Sequence, residues 1–147
     1  MFKDGLIVDG TGAPPYVGDV GIRDGRLMIL PEGHAAKAEA IIEITGKVIA
    51  PGFIDIHTHA RADLVSPDSA LMANYLTQGV STVVIGNDGD GATRIKKRFD
   101  TIFEHGAGTN VAQLVGHASL RRRVMDDTGR PAKRGEIEAM KSILAGA

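Results

Sequence analysis

The run Ala50-Pro51-Gly52-Phe53-Ile54-Asp55-Ile56-His57-Thr58-His59 constrains this chain more than any other stretch. An apolar, strand-prone segment closes on two histidines separated by one residue. In an extended strand, side chains two residues apart point to the same face. His57 and His59 are therefore expected side by side, with Phe53 and Asp55 behind them on that face. Two imidazoles on one rigid wall can ligate a metal such as zinc. Asp55 is placed to orient the histidines rather than to bind metal.

The pattern around this run divides the chain. Before Gly52 come short strand candidates at residues 6–8, 17–23, 26–30, 41–44 and 47–49, separated by the turn pairs Asp9-Gly10, Asp24-Gly25, Glu32-Gly33 and Thr45-Gly46. Asp24-Gly25 between two apolar runs is a two-residue hairpin signal. Short strands with glycine-rich turns suggest part of a small β-sandwich. From Gly52 onward, strands alternate with helices. A strand over 52–59 leads to a helix over about 68–78, with Ser66 as its cap and Pro67 at its first position. A second strand spans 80–86. A helix over 93–105 follows, with Ile95, Phe99, Ile102 and Phe103 on one face. A third strand spans 111–115. After a loop of about fifteen residues, a terminal helix carries the stripe Ile137, Met140 and Leu144. Three such units imply parallel strands joined by right-handed crossovers.

In a β/α barrel, reactive groups gather at the C-terminal ends of the strands. The three strand ends read His57-Thr58-His59, Gly86-Asn87-Asp88-Gly89-Asp90-Gly91 and Gly116-His117-Ala118-Ser119. Asp88 either adds a carboxylate ligand to the histidine pair or caps a turn. Asp90 reads as a turn residue. His117 is a candidate on the substrate side or a histidine bonded to its own loop. His105 suits a helix C-terminus, and His34 carries no assignment. A formal charge of −1 leaves no electrostatic footprint for nucleic acid. The cluster Arg121-Arg122-Arg123 reads as a solvated or substrate-facing patch. No apolar run approaches the ~20 residues of a membrane helix, and the start lacks a signal-peptide pattern. A cytoplasmic location, without nucleic-acid or membrane partners, is therefore expected. The absence of cysteine excludes disulfides and thiolate chemistry.

Together, the His57-Thr58-His59 strand, Asp9-Gly10-Thr11-Gly12, the run from Asp19 to Arg26, Gly79 to Asn87 and Val115-Gly116-His117-Ala118-Ser119-Leu120-Arg121 resemble the amidohydrolase superfamily. More narrowly, the chain resembles the N-acyl-D-amino-acid deacylase (D-aminoacylase) group, over nearly all its length. The resemblance implies an α/β fold: part of a β-sandwich domain over 1–50, then the first three β/α units of a TIM-type (β/α)₈ barrel over 51–147. A complete barrel takes ~250 residues, so 147 residues are expected to be an N-terminal fragment. The implied activity is metal-dependent hydrolysis of an amide C–N bond in a small N-acyl amino acid. Zinc is the implied cofactor, with His57, His59 and Asp88 as ligands. The group's pattern commonly has a cysteine where Asp88 stands, and a carboxylate there moves the donor set toward harder metals such as manganese. An acidic residue often follows the group's His-x-His, but Ala60-Arg61-Ala62 separate Asp63 from it. The resemblance places the general base and two further histidine ligands on later strands, so no catalytic base is assigned here. The alternatives are a cyclic-amide hydrolase of the dihydroorotase or hydantoinase kind and a non-catalytic α/β module.

Overall fold

The computed structural model describes residues 1–147, and its internal contacts divide them into two compact units, Met1–Pro51 and Gly52–Ala147.

The first unit is one mixed sheet. Its strands are β1 (Phe2–Ile7), β2 (Tyr16–Arg23), β3 (Arg26–Leu30), β4 (Ile42–Glu43) and β5 (Val48–Ile49). The order is β3-β2-β1-β4. Antiparallel pairs join β1 to β2 and β2 to β3, while β4 and β5 run parallel to opposite ends of β1. The β2–β3 hairpin closes through Asp24-Gly25, both at positive φ (51° and 71°). That is the backbone a two-residue turn needs to match strand twist. Ile7, Val20 and Ile44 are this unit's buried side chains.

The second unit is built on a parallel three-stranded sheet, β6 (Phe53–Asp55), β7 (Val80–Ile85) and β8 (Asn110–Gln113), in that order. Its helices are α1 (Ala73–Leu76), α2 (Ile95–His105), α3 (His117–Val124) and α4 (Arg134–Ala145). The core is Ala60, Leu64, Met72, Val83, Ile85 and Ile102, with Tyr75, Phe99 and Val111 packed on it. Val83 and Ile85 alternate inward from β7, and Ile102 comes from the apolar face expected of α2. No helix is long and apolar enough to cross a membrane.

Three elements depart from the sequence expectation. The helix expected over 68–78 shrinks to four residues, because Met72 takes a left-handed backbone (φ 55°). That conformation sends the Met72 side chain into the core, where it is 1 % exposed. The turn before it is held by tertiary bonds, the Gly108 N–H donating to the Ala70 carbonyl at 3.0 Å. Packing has overridden local helix preference there. The expected loop after β8 contains α3 instead. Only Leu120 is buried along that helix, so it offers no apolar period to read. Finally, the first strand ends at Asp55 rather than His59.

Candidate metal centre

The early end of β6 has a local cause. The Asp55 carboxylate accepts a hydrogen bond from the His57 N–H at 3.1 Å, an Asx-type bond that turns the backbone. The chain then fastens back onto β7. The Thr58 N–H and hydroxyl both donate to the Val84 carbonyl, at 3.0 and 2.9 Å. Thr58 is 4 % and Ala60 2 % exposed. With alternate residues pinned inward, His57 and His59 project outward together. Their ring centroids lie 5.7 Å apart with the planes tilted by 42°. The side-chain alternation thus outlasts the strand.

Asp88 arrives from the loop after β7. Gly86, Asp88 and Gly89 all take positive φ (87°, 56° and 78°), so the backbone coils tightly. Asn87 ties the loop down, its side-chain amide donating to Val84 O at 3.0 Å and Thr58 O at 3.4 Å. Backbone lies directly on backbone between this loop and the one after β8. A Cβ on Gly91 would meet Leu114 O and Gly116 N, and a Cβ on Gly116 would meet Gly91 N and Gly89 O. Only glycine permits that approach. The result is that Asp88 Oδ2 lies 3.2 Å from His57 Nε2 and 3.1 Å from His59 Nε2.

One donor atom from each of the three residues lies within 4.8 Å of the other two. At zinc–ligand distances of about 2.1 Å, neighbouring donors of a tetrahedral ion stand about 3.4 Å apart. The two nitrogen–oxygen separations match that edge closely. Two imidazoles and a carboxylate are also donors that zinc and manganese accept. The side chains are 57 %, 74 % and 58 % exposed, which leaves water free access to all three. The residues present fit a divalent metal.

Asp90 lies in the turn expected of it, its N–H donating to the Asn87 carbonyl at 3.2 Å, and it is also an ionic hub. Its carboxylate pairs with Arg122 and, at 3.4 Å, with Arg61. Arg122, then Arg61, hold its carboxyl below the usual carboxylate range. Spacing alone could not reveal this, since Arg122 lies on α3. His117 is exposed as the first residue of α3, outside the three-residue group. Asp63 opens a 3-10 turn (Asp63–Val65) and is likewise outside it. His105 closes α2, in keeping with the helix dipole. His34, in the other unit, pairs with Asp19 at 2.8 Å.

An N-acyl-D-aspartate deacylase of Alcaligenes xylosoxydans xylosoxydans is 35 % identical over 94 % of this chain and 32 % of its own length. A D-aminoacylase structure with a binuclear metal centre superposes with a TM-score of 0.87 at 32 % identity, over 97 % of this chain and 35 % of that one. The chain is a homologue of the D-aminoacylases, of the amidohydrolase family. The N-acyl-D-glutamate deacylase of Bordetella bronchiseptica, solved with zinc and a phosphonate inhibitor, agrees, with a TM-score of 0.84 at 33 % identity over 97 % of this chain and 34 % of that one. No protein-family model matches. The chain spans about a third of the length of the relatives it matches.

Proposed function

We propose that these residues are part of a metal-dependent hydrolase of N-acyl-D-amino acids, in which His57, His59 and Asp88 hold a divalent metal, zinc in the first instance. The observation that carries this reading is the convergence of two imidazole nitrogens and one carboxylate oxygen from two adjacent strand ends. On this reading the second unit is the opening of a β/α barrel, and the first unit is part of a sandwich domain.

When bound, the metal lowers the pKa of water to about 7 and polarises the amide carbonyl. The chain's own residues set the stage. The two imidazoles must be neutral at Nε2 to donate a lone pair. Asp88 supplies negative charge, and its left-handed backbone fixes how far the carboxylate reaches. A general base must have a free lone pair near the attacked atom. Asp90 is a poor base, because Arg122 and Arg61 lower its affinity for a proton, and the resemblance puts the group's general base on a later strand. The 147 residues alone are therefore expected to bind metal without measurable turnover.

Calorimetric titration with zinc tests the site. Loss of an outer-shell partner already costs about 10–100-fold in metal affinity. His57→Ala, His59→Ala and Asp88→Asn should each weaken binding by at least about tenfold, and Asp63→Asn should not. Equal affinity in the parent chain and His57→Ala would remove the reading. The activity is tested by amine release from N-acyl-D-amino acids, where robust turnover by this chain would mean that the base lies within it.

A further inference from the structure

A second feature of the same unit stands apart from the metal-binding trio. An open surface depression of about 520 Å³ is lined by Thr93, Arg94, Lys97, Arg98, Thr101 and Arg123 among others, with Arg94, Lys97 and Arg123 exposed. Four of these are cations, and none is an acid. None of the four forms an ion pair, whereas Arg61 and Arg122 beside them share the single carboxylate of Asp90. Six cations thus meet one anion in a chain whose 17 basic and 18 acidic residues nearly balance. Composition does not produce this clustering.

The arrangement works against its own electrostatics. The first turn of α2 contains no acidic residue, so Lys97 and Arg98 sit where the helix dipole favours negative charge. Arg98 is half-buried, and its guanidinium pKa is lowered by burial and then by repulsion from Arg61. The cationic side chains are held in place by neutral partners: Arg98 donates to Arg61 O at 3.5 Å and Arg123 to Thr93 Oγ1 at 2.9 Å. Both guanidinium forks keep further N–H donors, the geometry that takes carboxylate or phosphate oxygens in pairs.

We propose that this depression is an oxyanion-binding site, in which Arg94, Lys97, Arg98 and Arg123 take a small molecule bearing a phosphate or a pair of carboxylates. It needs no metal and is independent of the hydrolase reading.

The experiment uses the whole 147-residue chain, stripped of metal, at constant ionic strength. Inorganic phosphate and glutarate are titrated in separate arms, followed by calorimetry and by the NMR shifts of arginine Nε–H groups. Saturable binding that moves the Arg98 and Arg123 resonances is expected in at least one arm, and the arm that saturates at lower concentration identifies the chemistry. A charge-assisted hydrogen bond contributes about 1.5–3 kcal/mol, so Arg98→Gln and Arg123→Gln should each weaken binding about tenfold or more. Lys141→Gln, whose cation pairs with Glu138 on α4, should leave it unchanged. Non-saturable shifts in both arms, or equal weakening by Lys141→Gln, would show mere charge screening and overturn the proposal. The parent-chain spectra decide the matter even where a variant fails to fold.

Discussion

Replacing Gly91 with alanine probes the contact that fixes Asp88. The Gly91 φ is not positive, so an L residue meets no backbone penalty there. The entire cost comes from the new Cβ, which would strike Leu114 O and Gly116 N and lie 3.1 Å from Gly86 Cα. All three are backbone atoms, so no side-chain rotation relieves the clash. Overpacking costs about 1–3 kcal/mol, and immovable neighbours put this case at the upper end. With a urea slope of about 1.5 kcal/mol per molar, a loss of about 3 kcal/mol lowers the unfolding midpoint by about 2 M. Every helix lies in residues 52–147, so the helical circular dichroism signal reports on the affected unit alone. Where the loop yields instead of unfolding, it carries Asp88 away from the histidines, and zinc affinity falls by about tenfold or more. Gly89→Ala supplies the comparison. Gly89 has φ 78°, but its nearest neighbours are Ala118 atoms at 3.3 Å. Left-handed strain alone costs about 1–2 kcal/mol. Gly91→Ala should therefore be the more damaging change, although Gly89 has the rarer backbone. A Gly91→Ala chain with the parent's urea midpoint and zinc affinity would refute the close packing of the two loops.

Two further expectations concern α4. Gly135 lies inside this helix with open space around its would-be Cβ, so Gly135→Ala should raise stability by about 0.5–1 kcal/mol, read in the same urea titration. Glu136 accepts two bonds from Arg130, at 2.9 and 2.6 Å, and one from the Lys133 N–H at 2.7 Å. Its carboxyl falls from 4.5 to about 2, through Arg130 first and the Lys133 N–H second. A lowered folded-state pKa contributes stability above the ordinary carboxylate range, and that contribution is lost as pH falls toward about 2. The stability advantage of the parent over Glu136→Gln should shrink across that window, and an advantage independent of pH would contradict the assignment.

Much of this architecture was legible in the sequence because it rests on local rules. Asp24-Gly25 announced a hairpin whose turn needs two positive φ values, and Ile102 followed the apolar period of α2. His57 and His59 share a side as strand alternation predicts, although the strand ends at Asp55, because Thr58 and Ala60 are pinned inward. What escaped were features decided by distant partners. The left-handed Met72 leaves no mark on its neighbours in sequence, since the reward for that conformation is a side chain in the core. The α3 helix has no apolar stripe, and its arginines read as a solvated or substrate-facing patch. Arg121 in fact bonds the carbonyls of Thr128 and Arg130, closing the loop that the sequence left open. Asp90 is the turn residue it was read as, but its ion pairs were not legible because their partners come from 61 and 122.

Asp88 and Asp90 stand in one short loop with two different sets of neighbours. Both residues sit in a glycine-rich coil that backbone packing against residues 114–116 holds in place. Their environments differ in sign. Asp88 faces two imidazoles, whose nitrogen lone pairs and its own oxygen can be shared with one cation. Asp90 faces two guanidinium groups, which carry permanent charge and satisfy it outright. A metal competing for both carboxylates would have to displace arginine at Asp90 but only a proton, where one is shared, at Asp88. On the proposed reading the loop would present a single carboxylate to a metal, while the second is paired with Arg61 and Arg122. Neutralising that second carboxylate with Asp90→Asn should release Arg61, two residues from His59, to repel a divalent ion or pair with Asp88. Zinc affinity should then fall although no ligand has changed. The calorimetric titration that measures His57→Ala reads this directly, and an Asp90→Asn chain that binds zinc as tightly as the parent would show that the two carboxylates act independently.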